Sequence, residues 1–393
     1  MPSSRSLVAM CVLFVLIFIA FSPARVLAAP QEPPPLAYAG FALAGDYANR
    51  DQLYPHSAAL MLEQEGRYLD ALLQARLARH PLAASRVTMQ LADGRRDVSS
   101  VAFALVQEAV EIQRVEGKFL VVIALQANVL AFNKASNTLV ANYPLRMRFT
   151  RASDSVPSEA ELREMVREAY TSNNPAENIF DQWLQRLEKI RLREGARKYL
   201  RVTDVQLAPE AHTVVMNAGR TPAALSSQLA HFLEAAVAES AGISIVPSSV
   251  GEAIGNKMMY RFANAAELQL QLPQPDFALS FTVRGFASKK IEQPEFFQDI
   301  YRVRGAITLR QPDMDRVVLD ENVFDTFIVT RPRRAQVQLS DWDQYFKTLQ
   351  ALVFAVGRQM SQVDEAWLKE NASRGTDARA GFLNAKQILK ELM

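Results

Sequence analysis

Apolar and polar positions follow two periods along this chain, and the periods change in a repeated order. The second half shows the order most clearly. Tyr199 to Leu207 reads as a strand. Thr221 followed by Pro222 is a helix start, with threonine as N-cap and proline at the first helical position. Leu225, Leu229, Phe232, Leu233, Ala236 and Val237 then recur at helical spacing until Gly242. Ile243 to Val246 predicts a short buried strand stopped by Pro247, and a helical stretch is expected from about Ser249 to Ala263. Phe277, Leu279, Phe281 and Val283 alternate with small or polar residues, the period of a half-buried strand. Tyr301 to Arg310 repeats that alternation, and Val317 to Val329 makes a third strand after a Pro312-Asp313 turn. Ser340 caps a long helix with Trp342, Tyr345, Phe346, Leu349, Leu352, Val353 and Val356 on one stripe.

The first half runs through a similar order. Leu36 to Leu43 is an apolar strand, and a helix is expected from about Ser57 to His80, stopped by Pro81. Ser100 to Val115 and Lys118 to Phe132 read as a hairpin around Glu116-Gly117, although Val101, Leu105 and Ala109 also fit a helix. Leu139 to Phe149 alternates cleanly as the next strand. Ser158 with Glu161 is a capping box. Asn174-Pro175 predicts the start of a helix carrying Ile179, Phe180, Trp183, Leu184, Leu187 and Ile190 on one face. Strand starts at 36 and 199 and helix starts at 57 and 221 are offset by 163 and 164 residues. The pattern therefore predicts an α+β fold of two tandem units, each a mainly antiparallel sheet with helices on one face. The expected divisions are 36–190 and 191–372, with a partly helical tail over 373–393.

The N-terminus changes the setting. Arg5 precedes 15 consecutive apolar residues, Leu7 to Phe21, and Val26-Leu27-Ala28 places suitable residues at −3 and −1 of a cleavage site. Residues 1–28 thus read as a secretory signal peptide and 29–35 as a proline-rich spacer. Secretion to the periplasm is the expected location. The rival reading is an uncleaved anchor, but 15 residues fall short of the ~20 a spanning helix needs. No later apolar stretch is long enough, so no membrane span is expected after cleavage. The hydrophobic content of 49% and charged content of 22% are those of a globular chain. Cleavage removes Arg5 and Arg25 and no acid, taking the formal charge from +2 to 0. That balance does not point to nucleic acid.

The same cut removes Cys11, the single cysteine, which excludes disulfides, thiolate catalysis and cysteine-ligated metals in the mature chain. No HExxH, GxSxG or SxxK pattern occurs. Gly251 to Lys257 is a degenerate phosphate-loop match, one residue short between its glycines and followed by Met258 where a hydroxyl is required. His56, His80, His212 and His231 are scattered, with none at helical ligand spacing. Asp313, Asp315, Asp320 and Glu321 form a loose acidic group without calcium-loop spacing. No catalytic residue, metal site or cofactor is expected on these grounds. A carboxylate pair for glycoside hydrolysis leaves no sequence signature and stays open.

Arginines are the remaining feature. Arg284, Arg302, Arg304 and Arg310 take outward positions of adjacent predicted strands, and Arg331, Arg333 and Arg334 follow the third. Arg146 and Arg148 lie on the polar side of the Leu139–Phe149 strand. Residues two apart share a sheet face, so the first four are the candidate binding residues for an anionic partner, an envelope protein or an anionic polymer. The plain alternative is a solvated sheet face. Trp183 and Trp342 lie on apolar helix stripes and are expected in the core.

Tyr199–Leu207, the Thr221–Ala241 helix, Ile243 to Ser248 and the meander Phe277–Val329 together resemble the small α/β modules of bacterial envelope accessory proteins. These are the curli-secretion lipoprotein, the lipoprotein activators of penicillin-binding proteins and the amino-terminal domain of TolB. The resemblance covers most of 199–363, with a fainter echo in 36–190, and rests on element order. It implies a non-catalytic interaction or assembly protein of the envelope. The lipid anchor of the lipoprotein members is not carried over, because Cys11 lies away from the cleavage point. Two other function classes stay open: a hydrolase of envelope polymer, and a small-molecule binder using a cleft between the units.

Overall fold

The computed structural model describes residues 36–45, 47, 50–89, 99–115, 117–190, 192, 197–248, 257–333 and 340–393. The signal and spacer readings over 1–35, the phosphate-loop match at 251–256 and Arg334 lie outside these residues. In chain order the labelled elements are β1 (Leu36–Ala44), α1 (Ser57–Gly66), α2 (Tyr68–Arg79), α3 (Pro81–Arg86), β2 (Val87–Thr88), β3 (Ser99–Val115), β4 (Lys118–Asn133), β5 (Thr138–Ser153), α4 (Glu159–Thr171) and α5 (Ile179–Lys189). The second half follows with β6 (Leu200–Leu207), α6 (Pro209–Asn217), α7 (Pro222–Ala241), β7 (Lys257–Phe262), β8 (Glu267–Gln271), β9 (Phe277–Glu292), β10 (Phe296–Gln311), β11 (Arg316–Pro332), α8 (Asp341–Gln359), α9 (Glu365–Asn371) and α10 (Arg379–Glu391).

Local chemistry explains most boundaries. Ser158 and Glu161 form both halves of the capping box at the start of α4. Asn174 caps only a short 3-10 turn, and Asn178 starts α5 by accepting from the Phe180 and Asp181 amides. Gly242 takes the left-handed conformation at the end of α7, with φ of 68°. The expected helix over 57–80 is broken into α1 and α2, and non-helical backbone at Glu63 to Glu65 marks the break. Of the helix expected from about 249 to 263, residues 249–256 lie outside the described residues and the remainder is corrected. Lys257–Phe262 is a strand with alternating burial, Met258, Tyr260 and Phe262 facing in. A run of only six residues is too short to separate period two from period 3.6.

The fold is α+β, with a seven-stranded and a four-stranded sheet. In the first sheet β1 runs parallel to β3, and β3, β4 and β5 form an antiparallel meander. In the second, β6 runs parallel to β9, and β9, β10 and β11 form the meander. The first sheet buries one face under α1, α2, α4 and α5, where Phe41, Phe103, Tyr170 and Phe180 pack ring on ring. Trp183 is fully buried there and donates to the Ala102 carbonyl.

Its other face is not open. β7 and β8, expected within the second unit, complete the first sheet instead. β7 pairs with β1 from Ala42↔Phe262 to Ala44↔Tyr260, and β8 meets β5 at Thr138↔Gln271. The strands β1, β3, β4, β5, β8 and β7 thus close into a ring. Ala42, Ala44, Ala102 and Ala104 line its inside with Leu130, Phe132, Met258 and Tyr260. Four alanines on two neighbouring strands leave the volume that the larger side chains of β7 fill.

The second core lies between the four-stranded sheet and α6, α7, α8 and α10. α7 is buried almost all round. A Cβ added to Gly357 of α8 would overlap the Ala236 Cβ and lie 3.0 Å from the α7 backbone. The expected tail belongs to this core, since Ala378, Phe382, Ala385, Ile388 and Leu389 are all buried in it. Residues 243–248 are extended and buried, but make a single bridge rather than a strand. They stitch the two sheets: Ile245 donates to Asn142 of β5 and Val246 to Leu200 of β6, at 3.0 and 2.9 Å. No helix among the described residues is long and apolar enough to cross a membrane.

Gly357→Ala should lower the melting temperature. The overpacking cost of about 1–3 kcal/mol exceeds the helix-propensity gain of about 1 kcal/mol. A rise on thermal melting would show that α7 and α8 separate freely. Deleting residues 373–393 strips several fully buried side chains from the second core, each worth about 1.5–3 kcal/mol. The truncated chain should lose its cooperative thermal transition, and a parent-like melting curve would mean that α10 is dispensable.

Candidate functional site

The outer face of the four-stranded sheet carries three of the four candidate arginines together. Odd-numbered residues of β10, Tyr301, Val303, Ile307 and Leu309, face the helices, so Arg302 and Arg304 point the other way. Arg284 joins them through a bulge in β9. Arg304 pairs with Gly285 and Gly305 with Val283, leaving Arg284 as the extra residue. All three are exposed. The Arg302 guanidinium lies 4.1 Å from the Phe324 ring centre, and Arg304 reaches Glu210 at 3.4 Å. Gly285 makes that reach possible, because a Cβ there would sit 3.1 Å from Arg304 Nη2. Lys289 pairs across to Ile300 on the same face, and Ile328 lies beside Ile300 on β11. Arg310 is exposed but stands six residues beyond Arg304, about 20 Å along the strand. It does not join the group.

The other arginines have different surroundings. Arg331 pairs with Asp299 at 2.8 Å, and Arg331, Arg333 and Lys290 all stack on the Phe297 ring. Arg148 is exposed, whereas Arg146 turns inward, with its guanidinium 3.5 Å from the centre of the Phe354 ring on α8. Burial lowers the Arg146 pKa, and the Glu239 carboxylate opposes that shift. The polar side of β5 is therefore an internal surface here, because α7 and α8 cover it.

That contact belongs to a polar seam between the sheets which strand and helix periodicity did not single out. Arg201, His231, Glu234, Asn142 and Ser248 are each less than a tenth exposed. Arg201 donates to the Pro247 carbonyl at 3.1 Å. Desolvation lowers its pKa and Glu234 opposes. His231 Nδ1 lies 3.4 Å from Glu234. Glu239 is raised by burial, with Arg146 and Arg186 pulling it back. One sequence signal could have flagged the seam: the run from Pro222 to Ala241 is nearly free of charge, and a helix apolar all round is buried all round.

Two recesses open where the sheets meet. A cavity of about 340 Å³ is lined by Tyr143, Lys189, Arg197, Lys198, Tyr199 and Ser244 among others. A groove of about 610 Å³ beside it shares Lys189 and adds Gln182, Arg186 and Glu239. Lys198 is tied to Glu391 at 2.9 Å, and Arg197 donates to the Val140 carbonyl.

The acids raised by burial, Glu108, Glu239 and Asp325, stand on β3, α7 and β11, and of the three only Glu239 lines either of these two recesses. Glu108 accepts from the His56 and Ser57 amides at the start of α1, which lowers its pKa against the burial. His80 faces Glu188 at 3.1 Å, and His212 lies on α6 rather than in the loop expected for it. The acidic group after Pro312 disperses, since Asp320 accepts from Thr308 and buried Glu321 pairs with Arg374 at 2.6 Å. Among the described residues no three potential ligands converge on a metal-sized site.

No family model matches the chain, and no curated protein matches it. Among solved structures it is similar to the rare lipoprotein B of Shewanella oneidensis, at 12% identity over 38% of this chain and 89% of that one, with a TM-score of 0.20. It is likewise similar to a DUF330 protein from Xanthomonas campestris, at 14% identity over 50% of this chain and 96% of that one, again with a TM-score of 0.20.

Proposed function

We propose that this chain is an exported, periplasmic, non-catalytic binding protein of the cell envelope that docks an acidic protein partner on the outer face of its four-stranded sheet. One observation carries the reading. Arg284, Arg302 and Arg304 share an exposed sheet face next to the apolar side chains of Ile300, Phe324 and Ile328. A guanidinium fork binds carboxylates bidentately, and a flat face offers it to an extended acidic surface. Stacking on Phe324 holds the Arg302 head near one position, which lowers the entropy lost on binding. Export is supported by Arg5, the apolar run from Leu7 to Phe21 and Val26-Leu27-Ala28.

The exported protein should begin at Ala29 by intact mass. A product that starts at Met1 and is released only by detergent would sink the export reading.

The docking face is tested with a synthetic oligoglutamate peptide of about ten residues, in parallel with phosphatidylglycerol vesicles and dextran sulfate. The peptide should bind, and binding should weaken as salt rises, because exposed charges are screened beyond about 8 Å at 0.15 M ionic strength. Arg302→Glu with Arg304→Glu should cut peptide affinity at least tenfold. The melting temperature should barely move, since exposed substitutions cost about 0.5 kcal/mol or less. Unchanged affinity in the folded double variant overturns the reading, as does binding to vesicles or dextran sulfate without binding to the peptide.

A further inference from the structure

The open edge of the four-stranded sheet is half occupied by the chain itself. β11 is the terminal strand, and its register with β10 is unbroken from Asp320 to Pro332. The carbonyls of Asp320, Asn322 and Phe324 accept hydrogen bonds from Arg374 Nη2, the Ser373 amide and Asn371 Nδ2, at 2.9, 2.8 and 3.0 Å. Those donors lie on the side away from β10. In an antiparallel ladder a residue turns its N–H and C=O to the same side. Even-numbered residues of β11 therefore face the edge.

The same geometry continues through Thr326, Ile328 and Thr330, where the cover from residues 371–374 has ended. Among the described residues no backbone group pairs with this stretch from outside the sheet. The Thr326 amide donates to the Asp325 carboxylate of its own strand at 2.7 Å. Phe327 is 43% and Ile328 50% exposed. Native edges of this kind are normally blunted by lysine, proline or a bulge, and the run from Asp325 to Arg331 has none of these.

We propose that this edge pairs with a second copy of the chain, the two β11 strands running antiparallel about a two-fold axis at Ile328. The sequence Asp-Thr-Phe-Ile-Val-Thr-Arg is complementary to itself in that register. Ile328 meets its own equivalent. Thr326 of each copy faces Thr330 of the other, Phe327 faces Val329, and Asp325 faces Arg331. The edge-facing residues oppose one another, so the three rungs offer about four backbone hydrogen bonds, and two more where the Thr326 amides leave the Asp325 carboxylates. Moving the axis to Phe327 sets Asp325 against Val329, and moving it to Val329 sets Phe327 against Arg331. The charges and the apolar pair thus select Ile328. Asp325 is partly desolvated, burial raises its pKa, and among the described residues no cation pairs with it. The pairing brings Arg331 of the other copy, which also holds Asp299 of its own copy, opposite that carboxylate. The contact is isologous and closes as a dimer. It joins the sheets into one of eight strands and places Arg302 and Arg304 of both copies on one face. The inference does not depend on the docking reading, because it concerns the strand edge rather than the sheet face.

Site-directed cross-linking tests it in the full chain with Cys11→Ser, which leaves an introduced cysteine as the only thiol. Directly opposed residues of this rung type have Cα atoms about 5.5 Å apart, within disulfide range. Ile328→Cys should give a disulfide-linked dimer on mild oxidation, with at least tenfold the yield of Thr308→Cys on the same sheet face. Adding Asp325→Lys should reduce the Ile328→Cys yield at least fivefold. Ile328→Pro removes only an edge-facing donor, so it should keep the parent melting temperature and sediment as a monomer where the parent is a dimer. Equal yields at 308 and 328, insensitivity to Asp325→Lys, or a persistent dimer in a folded Ile328→Pro variant would overturn the proposal.

Discussion

One helix is buried almost all round from Leu225 to Ala238, and much of the fold follows from that constraint. α7 packs on β6 in the second core, on α8 across the Gly357–Ala236 contact, and on the far side against β5 of the first sheet. Ser240 donates to the Gly357 carbonyl at 3.0 Å, which keeps the two helix backbones close. Along its enclosed stretch His231 and Glu234 cannot reach water, whereas Glu239 near its end can. The first two must find a partner inside, because an unpaired buried polar group costs several kcal/mol. Removing one member of a buried charge pair typically costs about 3–5 kcal/mol.

The polar seam meets part of that demand and ties the two sheets together, while the Asn142 side-chain amide group and the Ser248 hydroxyl stay buried without a hydrogen-bond partner among the described residues. Arg201 comes from β6, Glu234 and His231 from α7, and Asn142 from β5. Arg146 extends from β5 to α8, stacking on Phe354 in a setting where a desolvated cation–π contact is worth about 2 kcal/mol. Glu239 acts on Arg146 and Arg186 together. Residues 243–248 add backbone bonds to both sheets. β7 and β8 leave the second half of the sequence to close the ring of the first sheet. The halves are therefore interleaved, and neither sheet is finished by a continuous stretch of chain.

Those commitments leave one large surface without a packing duty. Every helix of the second core lies on the inner side of its sheet, so the outer face meets solvent. Its arginines are held by a ring and a carboxylate rather than buried. Exposed guanidiniums contribute little to stability and much to recognition. The β11 edge is similar, since residues 371–374 cover part of it and stop. Surface without an internal role is where binding can be placed without a cost to the core.

Local rules made much of the fold legible in the chain itself. Strict alternation of apolar and polar residues identifies β5, β9 and β10 because period two has no other cheap explanation. The Ser158–Glu161 box and Gly242 mark helix ends because they satisfy orphan backbone groups within a few residues. The outward direction of Arg302 and Arg304 follows from the same alternation. Longer-range facts did not follow. A six-residue strand such as β7 is too short to reveal its period, and its partner β1 lies more than 200 residues away. The bulge at Arg284 and the distance of Arg310 depend on register with neighbouring strands. Arg146 shows the limit best. Its position on the polar side of β5 was readable, but whether that side met water depended on α7 and α8 arriving there. The chain by itself determined which groups alternate, cap and repel water, because those are interactions among near neighbours. Only the tertiary structure decided which polar faces were covered, because burial belongs to surfaces brought together from distant parts of the sequence.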